Sequence, residues 1–224
     1  MKLQLPWERI QTVLLDMDGT LLDLRFDNQF WRELVPMHYA AHHGLSLQQA
    51  RAEVAVRTGA VQGTLNWYCL DYWSRELELD IVTLKHEIEH LIAVHPHGLA
   101  FLEALRGADK RVVLVTNAHP QSLALKMEKT RLAERFDRIV CAHALGSVKE
   151  QPEFWPRLRE LERFDPATTL LVDDNLEILQ TARDCGIRHL VSVLRPDSAR
   201  PPNPPGEFPA IHDFSQLLPV GGVS

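Results

Sequence analysis

Short runs of apolar and β-branched residues recur in the second half of the chain, and stretches with helical spacing lie between them. The apolar runs are at 111–116, 138–142, 169–174 and 189–194, and a shorter one, Val13 to Leu15, lies near the start. Such runs are typical of strands buried on both faces of a parallel sheet. The helical stretches are at 120–132, 152–164 and 175–186. The alternation predicts an α/β fold with a doubly wound, Rossmann-like parallel sheet.

Residues 24–97 have helical spacing and no convincing strand. Ser46 and Gln49 form a capping-box pattern, which predicts the start of a helix. The segment 64–77 is rich in aromatic residues at helical spacing. We therefore predict a helical insertion between the first and second core strands. Near the end, the proline-rich segment 195–209 predicts an extended crossing, followed by a short helix after Asp213.

Composition and charge narrow the functional classes. The chain has 224 residues, of which 45% are apolar and 24% charged, as in an ordinary globular protein. A formal net charge of −6 disfavours nucleic acid as a partner but allows a local basic pocket. No apolar run is long enough to span a membrane, and the first residues lack the apolar core of a secretory signal. Three widely spaced cysteines suggest neither a disulfide framework nor a zinc site, and a cytoplasmic protein with free thiols is the simplest interpretation.

Polar residues follow the predicted strands at the edge where open α/β sheets bind ligands. In chain order they are Asp16, Asp18, Thr20, Thr116, Asn117, Lys149, Asp173 and Asp174. Carboxylates are costly to place against apolar surface unless a cation or a ligand pairs with them. Mg²⁺ takes oxygen ligands, usually one or two carboxylates together with substrate phosphate. The constellation therefore predicts a phosphate site built around Mg²⁺.

Each residue type in this set suits one part of phosphoryl transfer. Asp16 and Asp174 can hold the metal, and a carboxylate can also attack phosphorus to give an aspartyl-phosphate. Asp18 can protonate the leaving oxygen and then activate water. Lys149 adds positive charge beside the transferring group. The hydrogen-bond donors for phosphate oxygens are Thr20, Thr116 and Asn117.

The order of these residues resembles the four motifs of the haloacid dehalogenase-like (HAD) hydrolase superfamily. The resemblance implies that Asp16 is the nucleophile and Asp18 the general acid and base. It also implies that Mg²⁺ is held by Asp16, the backbone carbonyl of Asp18 and Asp174, with Asp173 in support. The inserted helices match a family cap domain, which gives a core of residues 1–23 and 98–224 and a cap of residues 24–97. Asp18 argues against a true dehalogenase, because that branch lacks the acid–base carboxylate.

Four longer strings are similar to the bacterial GMP/IMP nucleotidases, a cytoplasmic family of purine 5'-nucleotidases. They lie at 14–31, 64–74, 116–120 and 172–179. The resemblance implies a Mg²⁺-dependent hydrolysis of GMP or IMP to nucleoside and phosphate, so that the partner is a small phosphomonoester. Candidate residues for substrate binding are Asn28, Asn66, Trp67, Tyr68 and His119. The sequence favours no oligomeric state.

Other interpretations stay open at this point. The same motifs suit a HAD sugar-phosphate phosphatase or a phosphomutase, and a non-catalytic binding module is a further alternative. Residues 86–90, His-Glu-Ile-Glu-His, match the pattern of a zinc protease, in which both histidines share a helix face. The extended form of that motif fails, and a charged helix surface is the simpler interpretation. A calcium loop starting at Asp16 also fails, because Leu21 and Asp27 occupy the glycine and glutamate positions.

Overall fold

A single parallel sheet of six strands organises the protein, in a computed structural model that describes residues 2–221. The strand order is β3-β2-β1-β4-β5-β6, and every neighbouring pair is parallel. The strands are β1 (Thr12–Leu15), β2 (Arg111–Thr116), β3 (Arg138–Cys141), β4 (Thr169–Asp173), β5 (His189–Val193) and β6 (Ala210–Ile211). The central strand, β1, pairs with β2 on one side and β4 on the other, so the strand order reverses at β1.

Both faces of the sheet are buried, which explains why its strands read as continuous apolar runs. Val13 and Leu15 point into one hydrophobic cluster and Leu14 into another on the opposite face. Helix α7 (Gly98–Gly107) covers the first face with Phe101, and helix α10 (Phe154–Leu161) covers the second with Phe154. The predicted doubly wound architecture is confirmed.

Within residues 2–221 the core has five α-helices, of which the sequence predicted the three near 120–132, 152–164 and 175–186 but not the other two. The five are α7 (Gly98–Gly107), α8 (Pro120–Thr130), α9 (Ala142–Leu145), α10 (Phe154–Leu161) and α11 (Leu176–Asp184). A 3₁₀ turn, Phe214–Leu217, follows Asp213, whose carboxylate accepts a hydrogen bond from the Ser215 amide. The two-residue strand β6 was not predicted, because it directly follows a proline-rich segment and is too short to show a pattern.

Between β1 and β2 the chain forms a helical segment with a hydrophobic cluster of its own. Its helices are α1 (Arg25–Gln29), α2 (Val35–His43), α3 (Leu47–Ala60), α4 (Leu65–Tyr68), α5 (Leu70–Leu77) and α6 (Ile81–Glu87). A π-helical turn, Phe30–Leu34, joins α1 to α2. The Ser46–Gln49 capping box forms as predicted at the start of α3. The cap boundaries at residues 24 and 97 stay a prediction.

The aromatic segment 64–77 does not form one helix, although its spacing is helical throughout. The backbone becomes extended at Cys69, with φ −83° and ψ 111°, and this residue separates α4 from α5. Its sulfur accepts a hydrogen bond from the Tyr72 amide and so caps α5. After the break, Trp73 packs in the hydrophobic cluster of the segment, and both Trp67 and Trp73 line a cavity.

Residues 86–90 do not form the single helix that the zinc-protease motif requires. Helix α6 ends at Glu87, and a separate 3₁₀ turn follows at Glu89–Leu91. The two histidines therefore do not lie on one helix face. His86 instead contacts Glu89, with 2.9 Å between Nδ1 and Oε2. The charged-surface interpretation fits this arrangement better.

Within residues 2–221, no helix combines the length and the apolar character needed to cross a bilayer. The cysteines Cys69, Cys141 and Cys185 all carry free thiols.

The separate cluster of the helical segment generates a stability prediction. Leu77 is fully buried in it, so Leu77→Ala should lower the free energy of unfolding by about 2–5 kcal/mol. Val56→Ala, in α3 of the same segment, is the control, because Val56 is 74% exposed and should change stability by less than about 0.5 kcal/mol. Urea unfolding measures both, and equal losses for the two variants would contradict the assigned cluster.

Candidate active site

A buried lysine joins the carboxyl ends of two neighbouring strands. Asp16 follows β1, and its amide donates to the Val172 carbonyl of β4, which places it beside Asp173. Lys149 Nζ lies 2.5 Å from Asp16 Oδ1 and 2.7 Å from Asp173 Oδ2. The indole of Trp155 donates to the Lys149 carbonyl at 3.0 Å and fixes the backbone there. The structure therefore brings together three of the residues predicted from separate motifs.

Asp174 completes a group of three carboxylates, and a glycine makes room for it. Oxygen atoms of Asp16, Asp173 and Asp174 all lie within 4.8 Å of one another. Gly19 has φ +87°, and a Cβ placed on it would lie 2.6 Å from Asp174 Oδ2. Any other residue at this position would meet both backbone strain and a collision with the carboxylate. Gly19 thus allows the first and last motifs to meet.

The crowded carboxylates resist ionisation. Burial raises the pKa of Asp16 to about 6, against the opposing pull of Lys149. Burial together with the charges of Asp173 and Asp16 raises the pKa of Asp174 well above its ordinary value. In return, Asp16 and Asp173 overcome the effect of burial and raise the pKa of Lys149, so its ammonium stays charged. One ammonium faces three carboxylates, and this excess of oxygen ligands and negative charge could hold a metal ion.

A hydrogen bond with Asn117, which follows β2, fixes the backbone at Lys149. Asn117 accepts a hydrogen bond from the Lys149 amide at 3.0 Å and donates to Glu150 Oε2 at 2.8 Å. Tyr68 of α4 donates to the other oxygen of Glu150 at 2.6 Å, so the helical segment is hydrogen-bonded directly to this network. Thr116 accepts from the Ala118 amide at 3.0 Å. Sequence reasoning missed Glu150, which follows the motif lysine and has no distinctive pattern.

Thr20 differs from the other predicted phosphate donors. Its side chain is fully buried, and its hydroxyl has no hydrogen-bond partner among residues 2–221. Thr116 and Asn117 line the cavity described below, whereas Thr20 does not. Contact of these three residues with phosphate stays a prediction.

A second buried lysine holds Asp18, and sequence reasoning missed it. Lys126 Nζ of α8 lies 2.6 Å from Asp18 Oδ1 and 2.6 Å from Asp27 Oδ2. Asp27 also accepts from Lys85 of α6 at 3.2 Å. No sequence pattern marks Lys126, because the burial of Lys126 beside the polar Ser122 on one face of α8 is visible only in the structure.

This second network sets the charge state of Asp18. Burial raises the pKa of Asp18 to about 6, and Lys126 opposes that rise. Asp27 behaves differently: the charges of Lys126 and Lys85 outweigh its burial and lower its pKa. A carboxyl group that titrates near neutrality can both donate and accept a proton at working pH.

A cavity of about 860 Å³ opens in front of these groups. Its floor contains Asp16, Asp18, Lys149 and Asp174, and helices of the inserted segment form its walls. The walls carry three tryptophans and four cationic side chains, namely Trp31, Trp67, Trp73, Arg32, Arg51, Lys85 and Arg200. The volume suits a ligand of nucleotide size.

Not all of the predicted substrate-binding residues line the cavity. Four of them, Asn28, Trp67, Tyr68 and His119, line the cavity. Asn66 is exposed and is not part of the cavity lining. The amide nitrogen of Asn28 donates to Asp197 Oδ2 at 2.7 Å, so its orientation is fixed by the extended segment near the end of the chain. Contact of these residues with substrate stays a prediction.

Comparison with known proteins identifies the class. Residues 10–186 match the family described as haloacid dehalogenase-like hydrolase, and the chain belongs to this family. The fold agrees: a HAD phosphatase from Thermococcus onnurineus superimposes with a TM-score of 0.76 at 21% identity, over 93% of this chain and 96% of that one. The predicted family, fold class and enzyme class are confirmed, and the chain is a HAD-type hydrolase.

Similar sequences extend over the full length. The chain is 40% identical over 219 residues to the GMP/IMP nucleotidase YrfG of Escherichia coli (strain K12), which covers 98% of this chain and 99% of that protein. The predicted resemblance to this group is confirmed. An N-acetylmuramic acid 6-phosphate phosphatase of Pseudomonas putida is 27% identical over 187 residues, 80% of this chain and 81% of that protein.

The ion-pair network of Lys126 generates a second prediction. Lys126→Met leaves Asp18 and Asp27 buried without their shared cation, so it should lower the free energy of unfolding by about 3–5 kcal/mol at neutral pH. The loss should shrink toward about pH 4, because protonated carboxyls no longer need a cation. Urea unfolding at both pH values measures this.

The matched control for this variant is on the same helix. Lys129→Met removes a lysine that is paired with Glu89 near the surface, and its effect should stay below about 1 kcal/mol. A loss for Lys126→Met that is the same at both pH values would contradict the electrostatic explanation.

Proposed function

We propose that the protein is a Mg²⁺-dependent phosphomonoester hydrolase that acts through an aspartyl-phosphate on Asp16, and that its substrates are the purine monophosphates GMP and IMP. The observation that carries the reaction type is the pairing of two carboxylates by two separate lysines, Lys149 with Asp16 and Lys126 with Asp18. The two carboxylates line the same cavity, and their separate lysine partners suit different tasks.

The proposed reaction follows from the different roles of Asp16 and Asp18. A carboxylate oxygen of Asp16 attacks phosphorus, and the bond from phosphorus to the ester oxygen breaks. The departing oxygen takes a proton from Asp18, and a nucleoside leaves. Asp18, now ionised, takes a proton from water, whose oxygen attacks the aspartyl-phosphate and releases phosphate. Asp16 and the proton on Asp18 are restored. Lys149 provides positive charge beside the group in transfer.

The three carboxylates of Asp16, Asp173 and Asp174 suit Mg²⁺, and they have different roles. Both oxygens of Asp173 are already used, one by Lys149 and one by the Asn175 amide at 3.0 Å. Asp173 therefore supports the site, while Asp16, Asp174 and the backbone carbonyl of Asp18 are left to hold the ion. Bound Mg²⁺ would polarise the phosphate and neutralise the carboxylates. The space that Gly19 leaves for Asp174 supports this assignment.

The purine preference is supported by the cavity walls and by the 40% identity to YrfG, a GMP/IMP nucleotidase. Purine rings stack well on aromatic side chains, and Trp31 and Trp67 provide such surfaces. Asn28, Tyr68 and His119 supply polar groups around them, with Asn66 outside the cavity as the weakest candidate. The proposal includes residues 24–97 as the cap and a cytoplasmic location, in keeping with free thiols.

A sugar phosphate is the second candidate substrate, because the Pseudomonas putida relative is an N-acetylmuramic acid 6-phosphate phosphatase. A phosphomutase would return the phosphoryl group to its substrate instead of releasing it to water. Phosphate release therefore separates a hydrolase from a mutase.

The reaction and the substrate can be tested together. We expect Mg²⁺-dependent phosphate release, with kcat/KM for GMP and IMP at least about tenfold above that for AMP, pyrimidine monophosphates and sugar phosphates. Asp16→Asn should abolish release while the protein stays folded, because an amide is a poor nucleophile. Phosphate release over the substrate panel measures both.

The matched control is Asp109→Asn, an exposed residue that precedes the opposite end of β2 and should keep full activity. Full activity of Asp16→Asn would overturn the nucleophile assignment. Activity confined to sugar phosphates would keep the reaction and reject the purine substrate.

The raised carboxyl pKa values predict how metal binding depends on pH. In the metal-free protein the pKa values of Asp16 and Asp18 rise from 3.8 to about 6. Folding therefore strengthens proton binding at both groups, and their contribution to stability falls as pH rises through this window. Bound Mg²⁺ would restore the stability that is lost when these carboxyls ionise. Below about pH 6, however, Mg²⁺ competes with the proton on Asp16.

The melting temperature should consequently rise more on addition of Mg²⁺ at about pH 7.5 than at about pH 5. Differential scanning calorimetry measures the difference. Asp174→Asn should remove the Mg²⁺-dependent rise at both pH values. An equal rise at both pH values in the unmodified protein would contradict the prediction.

A further inference from the structure

A second cluster of metal-binding residue types lies beside the cavity. No catalytic step uses it, although one member, His119, also lines the cavity and is a proposed substrate-binding residue. Cys69 separates α4 from α5, His119 caps α8, and His143 belongs to α9. Ligand atoms of these three side chains lie within 4.8 Å of one another. Asp71 adds a carboxylate, with Oδ2 3.7 Å from His119 Nε2. These residues are far apart in sequence, so the expectation that the cysteines form no zinc site rested on spacing alone.

His143 has a free nitrogen prepared for a ligand. Its Nε2 is buried and has no hydrogen-bond partner among residues 2–221. Its Nδ1 lies 3.7 Å from Cys141 Sγ, and that thiol donates to the Ala118 carbonyl at 3.1 Å. Nδ1–H therefore donates to sulfur, and the lone pair stays on Nε2. A second partner that fixes the tautomer in this way is typical of metal-binding histidines.

His119, at the start of α8, lies beside the His143 ring. The two imidazole rings are 5.1 Å apart, nearly perpendicular. The Nδ1 atom of His119 accepts from the Gln121 amide at 3.4 Å, a long contact. Metal binding through Nε2 would move the proton to Nδ1 and end that contact.

Cys69 supplies the sulfur ligand. Its Sγ accepts from the Tyr72 amide at 3.4 Å, at the amino end of α5.

We propose that Cys69, His119 and His143, with Asp71 as the fourth ligand, form a site for one Zn²⁺. One sulfur, two imidazoles and one carboxylate are a typical tetrahedral zinc set, whereas the oxygen-only group around Asp16 suits Mg²⁺. Zinc bonds of about 2.0–2.3 Å place tetrahedral ligands about 3.3–3.8 Å apart, so the ligand atoms of the cluster would have to move closer together by up to about 1.5 Å. Two ligands come from the inserted helical segment and two from the core, so bound zinc joins them.

Co²⁺ is the direct probe of this site, because a cobalt thiolate absorbs in the near ultraviolet and an oxygen-only site does not. With Mg²⁺ in excess, titration should give one equivalent of the thiolate band. Cys69→Ser should lose the band. Cys185→Ser, which removes a cysteine elsewhere in the chain, should keep it. Absence of the band in the unmodified protein, or its survival in Cys69→Ser, would overturn the proposal.

The zinc affinity of further variants tests the roles of His143 and Cys141. In competition with a chromogenic chelator, His143→Ala should weaken binding about a hundredfold or more, and Cys141→Ala about 10–100-fold through loss of the hydrogen bond to His143. Zn²⁺ should raise the melting temperature of the unmodified protein and of Cys185→Ser but not that of Cys69→Ser. Unchanged affinity in His143→Ala, with metal-free folding verified by circular dichroism, would reject the site. None of these readouts depends on the proposed phosphatase activity.

Discussion

The structure depends on the buried ammonium of Lys149 between Asp16 and Asp173. Three carboxylates at the ends of two adjacent strands would repel one another without it, and desolvation already raises their pKa values. Removing one partner of such a buried pair typically costs about 3–5 kcal/mol, because the remaining charge has no compensation. Lys149 compensates two of the three carboxylates, and the remaining excess of negative charge could hold a divalent cation.

Lys126 repeats this arrangement around Asp18, with a different consequence. Its second partner is Asp27, at the start of the inserted helices, and not another residue at the end of a strand. Asp16 is thereby coupled to the sheet and Asp18 to the helical segment. Two carboxylates that are two residues apart thus reach similar pKa values through separate partners, and the two can perform different steps.

The sequence predicted the groups whose positions follow from strand ends, because parallel strands bring their carboxyl ends to one edge. Asp16, Lys149, Asp173 and Asp174 were found in this way. Lys126 and Glu150 were not, since each is an ordinary charged residue whose partner is fixed only by helix packing. The break at Cys69 was also missed, because aromatic spacing continues through it. The zinc cluster depends on that break and on three elements that are distant along the chain.

Two chains of polar contacts connect the helical segment to the proposed catalytic groups. One passes from Tyr68 through Glu150 and Asn117 to the backbone of Lys149, and the other from Lys85 through Asp27 and Lys126 to Asp18. The first reaches the lysine paired with Asp16, the proposed nucleophile, and the second reaches Asp18, the proposed acid. Displacement of the helices would therefore disturb both carboxylates at once. Zinc at Cys69 and His119 would act on the first chain, because Cys69 follows Tyr68 directly and His119 lies two residues after Asn117.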